Sequence, residues 1–261
     1  MRHLLAANAV REKLAKGECV TGTAHHSWSP IVMEVMGLAG VDFVRIDNEH
    51  AWRQDSSAED VIRACLLAEV CPILRVDREN PYLIRKAFEI GAQGIIVPDV
   101  HTVADAEAVV RAAKFPPRGT RGFSNQCASG GWTTIDAHEW VEWSDRENLV
   151  GIMIENPAAM DSIDDIMAVD GIDFALFGPA DFSLNLGLRK PALDDERVVG
   201  AIIRTIEAAK KSGKHVMYNP GLDPAAIKLW KERGLTMFEM LSDTKIIHAA
   251  LSQGLKTVAD A

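Results

Sequence analysis

The chain has 261 residues, 48% of them apolar and 25% charged, which is material for a sizeable core and excludes a disordered or fibrous protein. Its formal net charge is −9, and an acidic chain repels phosphate backbones, so a general nucleic-acid binder is excluded while a small anion at a local cationic site is not. The four cysteines, Cys19, Cys65, Cys71 and Cys127, form no CxxC pair and suit neither a disulfide framework nor a zinc ribbon, so they read as buried free thiols.

The first 17 residues alternate charged with apolar side chains and predict an amphipathic helix rather than a signal peptide. No stretch approaches the ~20 apolar residues needed to cross a bilayer, so a cytoplasmic protein is expected. Runs rich in β-branched residues then predict strands at 20–24, 43–46, 72–76, 94–97, 150–155, 174–177, 215–218 and 237–241. Helical patterns fall between them at 30–38, 58–68, 81–90, 103–113, 158–168, 197–212, 224–233 and 245–255. Asn80 stands where it would cap a helix starting at Pro81, and Gly213 stands where a long helix would stop. Eight strands alternating with helices in a chain this long predict one closed α/β barrel, a (β/α)8 TIM barrel over residues 1–261, with an open doubly wound sheet as the alternative. Segment 115–132 lacks any period, and a loop of that length is usually functional or interfacial.

In a parallel barrel the reactive side chains gather at the C-terminal ends of the strands. There the sequence places Asp47, Asn48, Glu49 and His50 after the second strand and Arg75 near the end of the third. Glu155 ends the fifth, and Gly178-Pro179-Ala180-Asp181 follows the sixth. Glu155 and Asp181 suit a hard divalent cation such as Mg²⁺ or Mn²⁺; capping of the next helices, or acid–base work without a metal, are the alternatives. Arg75 lies in an apolar strand, where a cation needs a partner, either a substrate carboxylate or a neighbouring Asp. His50, in the company of Asp47 and Glu49, is a candidate proton acceptor near neutral pH. His25 and His26 follow each other on a strand and point to opposite faces, so only one of them can line the pocket. The acidic run 161–170 lies in a helical pattern and reads as a solvated face.

The strings IDNEH at 46–50, LRV around Arg75, NPYLIRKAFEIGAQGIIVP at 80–98, KFPPRGTRG at 114–122, IMIEN at 152–156 and FGPADFS at 177–183 resemble the HpcH/HpaI family, collinearly from about residue 7 to residue 255. These are class II, metal-dependent aldolases that act on pyruvate-type enolates. The resemblance implies a homohexamer, a trimer of dimers with C-terminal helices swapped between subunits. It further implies a divalent cation (Mg, Mn, Co or Zn) on Glu155 and Asp181. Arg75 then resembles the residue that holds the 2-oxo acid, His50 the general base and Glu89 the acidic residue that raises its basicity. Asp47 joins them in the catalytic set, and Ala180, within the Gly178–Pro179 turn, resembles the residue whose N–H binds the substrate carboxylate.

Three positions depart from the family pattern. Asn48 stands where Gly is frequent, Met153 where a substrate-contacting Gln is frequent, and Ala24 where an aromatic residue is common. They leave the enolate chemistry intact and put the substrate in question. The expected reaction is reversible cleavage of a 4-hydroxy-2-oxo acid, with an acyl-CoA lyase of the malyl-CoA or citramalyl-CoA type and a non-catalytic binding protein as alternatives. The expected partners are therefore a small 2-oxo acid and an aldehyde, with no nucleic acid and no membrane. Aldehyde specificity is expected from loops at 24–28, 52–56 and 124–132.

Overall fold

A computed structural model describes residues 5–50, 55–78 and 80–261. Eight parallel strands close into a barrel in strict sequence order, β1 pairing with both β2 and β8. The strands are β1 (Val20–His25), β2 (Phe43–Asp47), β3 (Cys71–Arg75), β4 (Gly94–Val97), β5 (Leu149–Ile154), β6 (Phe174–Phe177), β7 (His215–Tyr218) and β8 (Met237–Glu239). Each matches its predicted counterpart to within two residues at either end. The open doubly wound sheet is thereby excluded.

The helices are α1 (Ala9–Ala15), α2 (Pro30–Leu38), α3 (Asp55–Leu67), α4 (Tyr82–Glu89), α5 (Val103–Ala113), α6 (Ala137–Glu147), α7 (Ile163–Ala168), α8 (Pro179–Asn185), α9 (Glu196–Lys211), α10 (Pro224–Glu232) and α11 (Asp243–Ala259). Local chemistry sets their ends. The Asn8 side chain accepts from the N–H groups of Val10 and Arg11, and Thr102 with Asp105 forms a reciprocal capping box on α5. Gly213, at φ 68°, ends α9 in the left-handed conformation that costs glycine least. Three expectations need correction. Helix α4 starts at Tyr82 with no side-chain cap, so Asn80 does not cap it. The helix expected at 158–168 is a 3-10 turn, Pro157–Ser162, followed by the short α7. Helices α6 and α8 were not foreseen.

Alternation along the strands divides the core in two. Phe43, Ile73, Ile96, Phe174, Met217 and Met237 fill the barrel interior, while Val44, Ile46, Ile95 and Ile152 pack outward against the helices. The segment 115–132 has a small core of its own, where Phe115, Cys127, Trp140 and Trp143 pack together. Within it the buried Arg121 guanidinium lies 4.4 Å from the Phe115 ring centroid and donates to Ser144 Oγ at 2.8 Å. Cys65, Cys71 and Cys127 are buried free thiols and Cys19 is half-buried. Burial pushes the Cys65 thiol up to about 12. No helix among the described residues is long and apolar enough to cross a membrane.

Candidate active site at the C-terminal mouth of the barrel

Strands β1, β2, β3 and β8 deliver an interlocked set of charges. Arg45 and Asp47 sit two residues apart on β2 and so share its inward face. Arg45 donates to Glu239 through Nε at 2.5 Å and through a terminal nitrogen at 3.0 Å. Asp47 accepts from Arg75 at 2.5 and 3.2 Å, from His26 Nε2 at 3.1 Å, and from the backbone N–H groups of Glu49 and His50. Arg75 also meets Glu49 at 2.8 Å. Burial alone would raise the Asp47 carboxyl, but the His26 hydrogen bond and the Arg75 and Arg45 guanidinium groups hold it well below the usual range. His26 is raised to about 9 by hydrogen bonds to Asp243 and Asp47. His25 lies on the other face of the strand, fully buried, with Nδ1 2.8 Å from Asp243. Of the histidine pair, His26 therefore lines the site and His25 anchors the start of α11.

The opposite side, β5 and β6, is built from carboxylates. Glu155 follows β5 and accepts the Asp99 N–H at 2.8 Å, while Asn185 of α8 donates to the Glu155 carbonyl at 3.1 Å. Burial raises the Glu155 carboxyl to about 7, with the charges of Glu49 and Asp181 adding to the effect and the Asp99 N–H and Arg75 opposing it. Asp181 lies in the first turn of α8, exposed. Gly178 is required here, because a Cβ would stand 2.6 Å from Met153 Cε and 2.9 Å from Glu155 Cβ. The N–H of Ala180, in the first turn of α8, has no acceptor within that helix.

A divalent cation fits this side. The Glu155 carboxyl, raised chiefly by burial and further by the charges of Glu49 and Asp181, would be relieved by a dication, and oxygen donors suit Mg²⁺ or Mn²⁺. No group of three or more His, Cys, Asp or Glu side chains is assembled for a metal among the described residues. Two protein ligands would leave the remaining positions to water and substrate, as an open catalytic site needs.

The other predicted site residues are placed as follows. Met153 is buried with its sulfur 3.7 Å from Arg75, where a Gln would have offered a hydrogen bond. His50 is exposed, held by its backbone N–H to Asp47. Glu89 lies 3.8 Å from Arg85 and lines a separate cavity beside Asn48, with no bond to His50. Residues 52–54 of the expected specificity loop at 52–56 lie outside the described residues. Met153, Gly178, Pro179, Ala180 and Asp181 line one cavity of about 830 Å³, whose other walls include Arg45, Glu239 and Lys245. Arg45, Glu239, Asp243 and Asp99 were not singled out in the sequence. Arg45 alone carried a signal, since it is a cation inside an apolar strand, just as Arg75 is.

Comparison with known proteins agrees with the closed barrel and identifies the family. Residues 25–247 match the HpcH/HpaI aldolase/citrate lyase family. A hydroxypyruvate/pyruvate aldolase of Roseobacter denitrificans is 31% identical over 79% of this chain and 80% of its own length. A 2-keto-3-deoxy-L-rhamnonate aldolase of Escherichia coli is 30% identical over 96% of this chain and 93% of its own. The crystal structure of the citrate synthase SbnG superposes with a TM-score of 0.87 at 30% identity, covering 96% of this chain and 97% of that one. A matched stretch this long, on a closed parallel barrel with acidic and cationic groups at its C-terminal mouth, establishes that the chain belongs to the HpcH/HpaI aldolase/citrate lyase family.

Proposed function

We propose that the chain is an aldolase that reversibly cleaves a 4-hydroxy-2-oxo acid to pyruvate, or a substituted pyruvate, and an aldehyde. One observation carries this reading: a buried guanidinium, Arg75, fixed by Asp47 and Glu49, stands within electrostatic reach of the carboxyl of Glu155. Two relatives named as aldolases support it. Glu155 and Asp181 are the residues that would hold Mg²⁺, Mn²⁺, Co²⁺ or Zn²⁺, which supplies Lewis-acid stabilisation of an enolate.

The protein's own groups do the rest. Arg75 directs N–H donors at the oxygen on which negative charge develops, and its pairing to Asp47 fixes its orientation before substrate arrives. The Ala180 N–H and the open Gly178–Pro179 turn receive the substrate carboxylate. His50 accepts the proton of the 4-hydroxyl as the C3–C4 bond breaks, and the electron pair of that bond passes to the enolate. Return of a proton to C3 releases the oxo acid. Met153 packs against Arg75 and narrows the pocket without donating a hydrogen bond.

A homo-oligomer, a trimer of dimers with exchanged C-terminal helices, belongs to the same reading. Leu251, Leu255 and Val258 of α11 and Leu38 of α2 are exposed apolar side chains that an assembly would cover, and light scattering measures the mass.

The deciding experiment follows pyruvate release from 4-hydroxy-2-oxo acids with and without Mn²⁺. Glu155→Ala is expected to lower it by at least about 10³-fold. Full activity in that variant, or after exhaustive chelation, overturns the cation's role. Turnover confined to acyl-CoA substrates replaces the aldolase with a thioester lyase.

A further inference from the structure

The connection between β4 and α5 contains a residue whose polar groups are all engaged. Asp99 gives its N–H to Glu155 Oε1 at 2.8 Å. Its carbonyl accepts from Arg78, its Oδ2 accepts from the same Arg78 nitrogen at 2.7 Å, and its Oδ1 meets His101 Nε2. The second terminal nitrogen of Arg78 donates to Asp105 at 2.9 Å, and Asp105 in turn accepts the N–H groups of His101 and Thr102. Asp99 adopts φ 57°, a left-handed conformation uncommon outside glycine, asparagine and aspartate. A residue in that conformation needs surroundings that hold it there.

These contacts do little for stability. The Arg78 side chain is 36% exposed and that of Asp99 49%, and exposed ion pairs contribute little to folding. What they fix is direction. The Asp99 N–H is the backbone donor on the buried carboxylate of Glu155, and Arg78 clamps Asp99 from the solvent side.

We propose that Arg78 is a positioning residue for Glu155: acting through Asp99, it holds the turn that aims a backbone N–H at one Glu155 oxygen and leaves the other oxygen set for a divalent cation. This rests on the reading of Glu155 and Asp181 as the cation-holding pair. The clamp joins three connections, since Arg78 follows β3, Asp99 follows β4 and Glu155 follows β5. Outer partners of metal ligands typically change affinity by about 10–100-fold when removed.

The test is Mn²⁺ binding to the whole protein, by calorimetry or by electron paramagnetic resonance of free Mn²⁺. Wild type sets the reference affinity, and Glu155→Gln abolishes the site. Arg78→Met is expected to weaken Mn²⁺ binding about tenfold or more while Tm moves by less than about 3 °C. Arg78→Lys keeps one donor and recovers part of the affinity. Asp99→Asn keeps the backbone N–H and tolerates the same φ while losing the clamp's charge, so it weakens binding less than Arg78→Met and serves if that variant folds poorly. In the aldolase assay the loss in Arg78→Met is recovered by excess Mn²⁺. Unchanged Mn²⁺ affinity in both variants overturns the proposal, as does a loss that parallels a fall in Tm and resists excess Mn²⁺. A wild type that binds Mn²⁺ through Glu155 yet releases no pyruvate sinks the aldolase and leaves the clamp standing. A wild type whose Mn²⁺ binding ignores Glu155→Gln sinks both.

Discussion

The two halves of the barrel mouth solve opposite electrostatic problems. On β1, β2, β3 and β8, every buried charge has a partner: Arg45 with Glu239, Asp47 with Arg75 and His26, His25 and His26 with Asp243. On β5 and β6, Glu155 sits near Glu49 and Asp181, and its carboxyl is raised to about 7. The first half is preorganised, with its guanidinium groups held rigidly by anions. The second is left short of positive charge, which is what a site that takes up a cation requires. The difference shows how one barrel rim sets a fixed cationic group beside a buried carboxyl left short of positive charge.

The largest way to break this contrast is to unpair the balanced half. Arg45→Met leaves Glu239 buried without its cation and is expected to cost about 3–5 kcal/mol, whereas Arg45→Met with Glu239→Leu should lie near wild type. Denaturant unfolding of the two variants measures the gap, and equal stabilities would show that the pair is not closed off from water. Next comes Arg75→Lys, which keeps the charge but loses the planar fork. A fall of about 10²–10³-fold in kcat/KM is expected, with kcat bearing most of it.

Crowding the other half is milder. Gly178→Ala pushes a methyl group against Met153 and Glu155 and should lower activity about 10–100-fold, with Mn²⁺ affinity falling alongside. The smallest effect concerns His26. Its folded value, about 9, lies above the ordinary 6.5, so its contribution to stability is complete below pH 6.5 and disappears as pH rises through 9. The stability difference between wild type and His26→Gln should therefore be largest in mild acid and vanish above pH 9. Solvent screening of this half-buried ring keeps the difference near 1 kcal/mol. A difference that grows with pH would contradict the assignment.

Much of this was legible in the sequence because barrels put chemistry at strand ends. That rule alone locates Asp47, Arg75, Glu155 and Asp181. It did not locate Glu239 or Asp243, because their partners lie across the barrel closure, with Arg45 and Glu239 194 positions apart. No local pattern reports a contact of that range. Asp99 escaped for a different reason: its backbone N–H, rather than its side chain, touches Glu155. Helix α6 was legible and overlooked, since Trp140, Trp143, Ser144 and Glu147 are buried at helical spacing behind an Asp136 cap. Helix α8 is seven residues long, too short for periodicity to show.

Phe43, Phe174, Met217 and Met237 plug the barrel beneath the cavity, so the site is a vessel with one opening. Whatever reacts there enters and leaves over the same rim.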